Sequence, residues 1–149
     1  LTRKADAQMD FDFAKVVEAS KDNPVFYVQY AHARIRSLGR KAGAAIDVSA
    51  ADVALLDAED LALVKLAAQF PRVVEAAAAA REPHRIAFYL YDVAAEFHSW
   101  FNAGNDRPDR RVLVDVPELV AARLFLVFGI GQIIRNGLAI MGVTAVEEM

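Results

Sequence analysis

The chain has 149 residues, of which 56% are hydrophobic, so it can bury a sizeable core and is not a disordered tail. It contains no cysteine, which excludes disulfides, thiolate metal sites and cysteine nucleophiles. Its net charge of −3 argues against a protein that attracts nucleic acid through overall charge.

Apolar periodicity and helix-boundary residues predict an all-α chain. Helices are expected at residues 10–20, 24–42, 58–69, 72–81, from 83 onward, and 117–141, with an irregular tail at 143–149. Pro71 should break or kink the chain between the third and fourth of these helices. Residues 102–109 are the clearest loop, because they combine Asn, Gly, Asp and Pro.

The helix at residues 24–42 carries the most informative pattern. At about 100° per residue, Tyr30, Arg34 and Lys41 fall together on the flank of its apolar face, within an arc of roughly 40°. Rings beside fixed positive charge suit the binding of unpaired RNA bases. The pattern alone favours a simpler interpretation, an amphipathic core helix whose Arg40 and Lys41 complement its C-terminal dipole.

Charge is unevenly distributed along the chain. Residues 23–42 have a net charge of +4, and residues 44–63 have a net charge of −5. The contributing residues are Arg34, Arg36, Arg40 and Lys41 in the first segment and Asp47, Asp52, Asp57, Glu59 and Asp60 in the second. Such a domain can present one basic face to RNA, although ordinary variation in surface charge explains the pattern as well. Gln29, Arg36 and Arg40 are expected on the solvated side of their helix.

The sequence predicts no catalytic or metal site. Its three histidines lack metal-ligand spacing, and Gly129-Ile-Gly131 lacks the third glycine and preceding strand of a phosphate loop. Small residues inside a helix more often permit close packing.

Trp100 and Phe101 lie beside a segment that contains Arg107, Arg110 and Arg111. Aromatic residues at a helix end are usually core residues. A ring next to flexible cations is nevertheless a workable site for base stacking.

Four segments resemble, in order, the C-terminal anticodon-binding domain of arginyl-tRNA synthetases, the DALR family. The most specific of these segments is Asn23-Pro…Tyr-Val-Gln-Tyr-Ala-His-Ala-Arg34. Another segment that resembles the family is Phe97-His-Ser-Trp-Phe-Asn102. Residues 3–13 resemble the link that leaves the catalytic domain, and residues 121–124, 132–138 and 141–143 resemble the closing helix. The resemblance assigns residues 1–22 to the link and residues 23–149 to the anticodon-binding domain.

The resemblance implies an all-α bundle that docks on the anticodon stem-loop of arginine tRNAs, whose middle anticodon base is C. It makes Tyr30 and Arg34 the expected anticodon-loop contacts. The full predicted RNA site comprises Tyr30, Arg34, Arg36, Lys41, Trp100, Phe101 and Met149. Two positions depart from the family pattern, because Phe101 stands where the family often has Tyr and Glu148 stands where it commonly has Arg.

The parent protein implied by the resemblance is a class I arginine–tRNA ligase that uses ATP with magnesium. The nucleotide signature motifs of that chemistry are absent from the chain, which should therefore bind tRNA and catalyse nothing. The expected partners are tRNA and the protein's own catalytic domain, and the protein is expected to be a cytoplasmic monomer. No membrane segment is expected, because the longest uncharged apolar run, residues 124–134, is too short to span a bilayer.

A helical protein–protein interaction module is the alternative function. In that case Phe88, Tyr91, Trp100 and Phe125 would form a partner groove instead of a core.

Overall fold

The computed structural model describes residues 23–149, so the link and the short helix predicted within residues 1–22 lie outside the described residues. Five α-helices make up most of the described chain. They are α1 (Pro24–Ala42), α2 (Ala58–Ala67), α3 (Phe70–Ala80), α4 (His84–Asp106) and α5 (Pro117–Ile140). Short 3₁₀ turns occur at Val48–Ala50, Val53–Leu55 and Pro108–Arg110. Residues 23–149 contain no strand, which confirms the predicted all-α class.

The boundaries of α1 follow from its capping residues. The Asn23 side chain accepts hydrogen bonds from the backbone N–H groups of Val25 and Phe26, and Pro24 occupies the first helical position. Gly43 ends the helix with a positive φ of 71°. The predicted extent of α1 is therefore confirmed.

Helix α5 is the central helix of the bundle, with α1, α2 and α4 packed around it. Two glycines allow this close approach: a Cβ atom at Gly131 would lie 3.2 Å from Ile35, and one at Gly137 would lie 2.7 Å from Leu90. By length and composition alone α5 could cross a membrane, but 56% of its most apolar window is buried inside the fold. Its apolar character is what packing on three sides requires.

The predicted loop at residues 102–109 is wrong in its first half, because α4 continues to Asp106. The returning chain covers this end of the helix. Arg111 donates a hydrogen bond from Nε to the Gly104 carbonyl at 3.0 Å, and a Cβ atom at Gly104 would meet the Arg111 backbone at 3.2 Å. Gly104 lies inside a helix because the Arg111 backbone approaches it closely, and this tertiary packing overrides the low helix propensity of glycine.

A buried ionic cluster joins the helices on this side of the bundle. The fully buried Asp60 carboxylate accepts hydrogen bonds from Trp100 Nε1 at 2.8 Å and Arg110 Nη2 at 3.1 Å. Arg123 Nε lies 3.9 Å from the same carboxylate, while its Nη1 donates to the Asp109 and Arg111 carbonyls. We call Asp60, Trp100, Arg110 and Arg123 the Asp60 cluster.

The contacts of Arg107 and Arg110 contradict the expectation of flexible cations after α4. Arg110 is buried, and Arg107 forms two hydrogen bonds to Glu59 at 2.8 and 3.0 Å. Arg110 also pairs with Asp57. These arginines neutralise acids of the 44–63 segment, so they hold the fold together and are not available as a mobile basic loop.

Replacing Asp60 with Asn should destabilise the fold by about 3 kcal/mol, because removal of one partner leaves buried charges uncompensated. The free energy of unfolding, measured by urea denaturation, tests this. Asp92→Asn, at an exposed position of α4, is the matched control and should change stability by less than about 0.5 kcal/mol. Equal stability of the two variants would contradict a structural role for the Asp60 cluster.

Candidate nucleic-acid interface

Helix α1 presents three stripes of side chains, each with a different environment. The core stripe is buried against the bundle and contains Val28, Ala31, Ile35 and Leu38. The pocket stripe lines a surface pocket and contains Tyr30, Ala33, Arg34, Ser37 and Lys41. The tail stripe contacts residues 144–148 and contains Gln29, His32, Arg36 and Arg40. Spacings of three and four residues place each set on one side of the helix.

The pocket beside α1 has a volume of about 500 Å³. Phe101 of α4 and residues Glu148 and Met149 of the C-terminal tail complete its walls. It therefore brings together five of the seven residues of the predicted RNA site: Tyr30, Arg34, Lys41, Phe101 and Met149. Tyr30 is 38% exposed and Met149 is 53% exposed, so both are accessible to a ligand.

The Arg34 guanidinium lies between two aromatic rings. Its Cζ atom is 4.6 Å from the centroid of Tyr30 and 4.7 Å from that of Phe101. Nη2 donates a hydrogen bond to the Tyr30 hydroxyl at 2.8 Å, and Nη1 donates to His98 Nδ1 at 3.0 Å. The side chain oxygen of Asn102 lies 3.5 Å from Nη1. These contacts fix a planar cation at the pocket wall, an arrangement worth about 0.5–2 kcal/mol per cation–π contact.

His98 supports this arrangement from inside the bundle. It is buried, and its ring stacks on Tyr30 with centroids 5.4 Å apart. Burial, together with the charge of Arg34, lowers the pKa of His98 to about 4, so the imidazole is neutral at physiological pH. Because Arg34 can only donate, Nδ1 must accept, and the proton sits on Nε2, which faces the Tyr27 carbonyl at 3.5 Å. Sequence reasoning missed this residue, although the Phe97-His-Ser-Trp-Phe-Asn102 segment contains it.

The side of α1 predicted to be solvated lies beside the C-terminal tail, and Arg36 and Arg40 remain exposed there, with side-chain exposures of 44% and 49%. Gln29 Nε2 donates to the Thr144 carbonyl at 2.8 Å, and His32 Nδ1 donates to the Val146 carbonyl at the same distance. His32 is fully buried between the tail and the core. Periodicity shows which face of a helix is polar, but it does not show that another polar segment lies on that face.

Three arginines converge on Glu147. Arg36 Nε lies 2.5 Å from its Oε2 atom, Arg135 Nη2 lies 3.7 Å from Oε1, and Arg40 Nη1 donates to its carbonyl at 3.3 Å. The hydrogen bond from Arg36 lowers the pKa of Glu147, so the carboxylate stays charged near neutral pH. Arg36, predicted as an RNA contact, is thus engaged with the tail and lies outside the pocket. Arg40 also pairs with Glu148 at 3.6 Å.

Trp100, also predicted in the RNA site, lies in the core. It is 6% exposed and its indole N–H is bonded to Asp60, so it presents no face for base stacking in this structure. The aromatic partner groove of the alternative function does not form either. Phe125 lines an apolar groove of about 360 Å³ between α2 and α5, and that groove includes neither Phe88 nor Tyr91.

No group of three or more His, Asp or Glu side chains in residues 23–149 is arranged to hold a metal ion. The pocket lining offers aromatic rings, hydrogen-bonding groups and charged side chains for recognition.

Comparison with known proteins shows the family to which this chain belongs. Residues 28–149 match the family described as the DALR anticodon binding domain. The chain is 68% identical to an arginine–tRNA ligase of Novosphingobium aromaticivorans and 51% identical to one of Rhizobium meliloti. All of the chain is covered in both alignments, but it spans only 26% and 27% of those proteins. It also superposes on Thermus thermophilus arginyl-tRNA synthetase with a TM-score of 0.83 and 36% identity, covering 96% of this chain and 24% of that one. The chain therefore belongs to the DALR anticodon-binding domain family.

Proposed function

We propose that this chain binds the anticodon loop of arginine tRNAs as the anticodon-binding domain of an arginine–tRNA ligase. The observation that carries the proposal is the Arg34 guanidinium, held between Tyr30 and Phe101 at the wall of an open pocket. Membership of the DALR family and the identity to arginine–tRNA ligases support it. They also favour this function over an interaction module.

The parent protein would attach arginine to tRNA with ATP and magnesium, in a catalytic domain that this chain does not include. The relatives are about four times as long as the chain, which leaves room for such a domain. In the proposed enzyme the domain described here contacts tRNA and the catalytic domain carries out the reaction. We expect this parent to be a cytoplasmic monomer.

The pocket offers what recognition of an unpaired cytosine requires. A base can stack on the exposed Tyr30 ring. The edge of cytosine carries an amine donor and acceptors, and the pocket contains both a carboxylate at Glu148 and a cationic donor at Lys41. Lys41 is exposed at the last turn of α1, where it can contact a phosphate.

The binding of an anticodon stem-loop with C at its middle position tests the proposal, beside the same stem-loop with U. We expect the C-containing loop to bind at least about 5-fold more tightly, since one mismatched polar contact costs about 1–3 kcal/mol. Affinities measured by fluorescence anisotropy at low salt decide this. Equal affinity for both loops would contradict anticodon reading by this chain.

Tyr30→Ala should weaken binding of the same stem-loop by about 1–3 kcal/mol, the range for loss of one base stack. The substitution also removes the hydroxyl that accepts a hydrogen bond from Arg34. Phe125→Ala is the matched control, because Phe125 is an exposed ring that lines the separate apolar groove. Unchanged affinity of Tyr30→Ala, or an equal loss in Phe125→Ala, would place the RNA elsewhere.

His98 should remain neutral through the usual titration range of histidine, so the contact from Arg34 persists at mildly acidic pH. The folded pKa is about 4 and the ordinary value is 6.5. The unfolded chain therefore takes up a proton between these values that the folded chain does not, and stability due to His98 is lost as pH falls from 6.5 toward 4.

Two measurements test this expectation. The ring resonances of His98 followed by NMR should titrate near pH 4. In His98→Gln the fall in the free energy of unfolding between pH 7 and pH 5 should be smaller than in the unaltered chain. A His98 midpoint near 6.5 would mean that the imidazole does not accept from Arg34 as described.

A further inference from the structure

The C-terminal tail runs parallel to α1 and meets one successive turn of the helix after another. Thr144 contacts Gln29, Val146 contacts His32, Glu147 contacts Arg36, and Glu148 contacts Arg40. Arg40 lies at the boundary, because it touches the tail and also lines the pocket. Past this point Glu148 and Met149 become part of the pocket wall.

Glu147 is the last residue of the tail that is held by several contacts before the chain enters the pocket. An exposed ion pair by itself contributes little to stability. Here, however, one carboxylate is shared by Arg36 and Arg135, and the adjacent carbonyl accepts from Arg40. The buried His32 fixes the preceding residue. We call Arg36, Arg135 and Glu147 the tail clasp.

We propose that the tail clasp holds Glu148 and Met149 in place as a wall of the RNA-binding pocket, and that Arg36 is a positioning residue which does not itself contact RNA. The proposal rests on the proposed function, since it assigns a role within the same site. It adds Glu147 and Arg135, which lie outside the pocket lining, to the residues on which RNA affinity depends.

The geometry argues against Arg36 as a phosphate contact. Its Nε group is committed to Glu147 at 2.5 Å, and it lies on the tail stripe and not on the pocket stripe. A phosphate that bound Arg36 would have to displace this carboxylate or approach its negative charge. Loss of Arg36 would leave the Glu147 side chain with Arg135, whose nearest nitrogen is 3.7 Å away.

The two roles of Arg36 predict different outcomes for Arg36→Gln, Glu147→Gln and the double variant. If Arg36 acts through the clasp, each single variant should weaken stem-loop binding by about three- to five-fold. The double variant should bind no more weakly than either, because both substitutions break the same contact. The dependence of affinity on salt should be unchanged, since no phosphate contact is lost.

The charge-swapped variant Arg36→Glu with Glu147→Arg should restore part of the lost affinity. Arg85→Gln is the matched control, because the Arg85–Glu82 pair has the same 2.5 Å Nε–Oε2 separation and a similar exposure, far along the chain from the tail. Binding by Arg85→Gln should equal that of the unaltered chain.

A phosphate contact by Arg36 would give the opposite pattern. Arg36→Gln would then make the negative slope of log affinity against log salt shallower by about 0.7. Glu147→Gln would bind as tightly as the unaltered chain or more tightly. Either result overturns the proposal.

The clasp can also be measured without RNA, by the heteronuclear NOE of backbone amides in residues 144–148. These NOEs should fall in Arg36→Gln and Glu147→Gln and remain unchanged in Arg85→Gln. Unchanged NOEs in all three variants would contradict the clasp itself. Absence of stem-loop binding by the unaltered chain would instead contradict the proposed function, so the two failures are distinguishable.

Discussion

The burial of Asp60 is the constraint on which the arrangement of this domain depends. A fully buried carboxylate must be paired, and here its partners come from three different parts of the chain: Trp100 of α4, Arg110 of the 3₁₀ turn and Arg123 of α5. Two charged arginine side chains are thereby drawn into the interior, at a desolvation cost of several kcal/mol per ion. The Trp100 hydrogen bond to this carboxylate helps to set the rotation of α4 about its axis.

That rotation determines the candidate RNA site on the other side of α4. Successive residues of a helix point about 100° apart, so with Trp100 turned toward Asp60 its neighbour Phe101 is turned toward α1. The same rotation brings His98 beneath Tyr30 and within 3.0 Å of Arg34. The residue that was predicted to stack on RNA thus serves the site indirectly, because its burial places the adjacent ring against Arg34.

The sequence predicted the helices well where local chemistry decides them, as in α1, whose limits follow from Asn23, Pro24 and Gly43. It failed where contacts distant in sequence decide the outcome. Gly104 lies inside a helix because Arg111 packs over it, and the hydrophobic periodicity of the sequence gives no indication of that contact. The composition of the pocket stripe was predictable from the 3.6-residue repeat, but the contacts of Gln29 and Arg36 with the tail were not. The tail segment has no periodic pattern of its own, so only the three-dimensional arrangement reveals its place.

The distribution of ion pairs explains how an acidic chain can present a basic pocket. Part of the negative charge of residues 44–63 is paired within the fold, where Arg107 and Arg110 form ion pairs with Asp57 and Glu59. The hydrogen bonds from Arg107 lower the pKa of Glu59, so this carboxylate is ionised and paired at physiological pH.

On α1 the acids come from the tail instead. They pair with Arg36 and Arg40 but leave Arg34 with neutral partners: the phenol of Tyr30, an imidazole, an amide and the ring of Phe101. A cation with only neutral partners keeps its full charge for a ligand, whereas one paired with a carboxylate must first be released. The positive charge of the pocket comes from Arg34, Arg40 and Lys41, and the tail acids pair with Arg40 and the neighbouring Arg36 but not with Arg34.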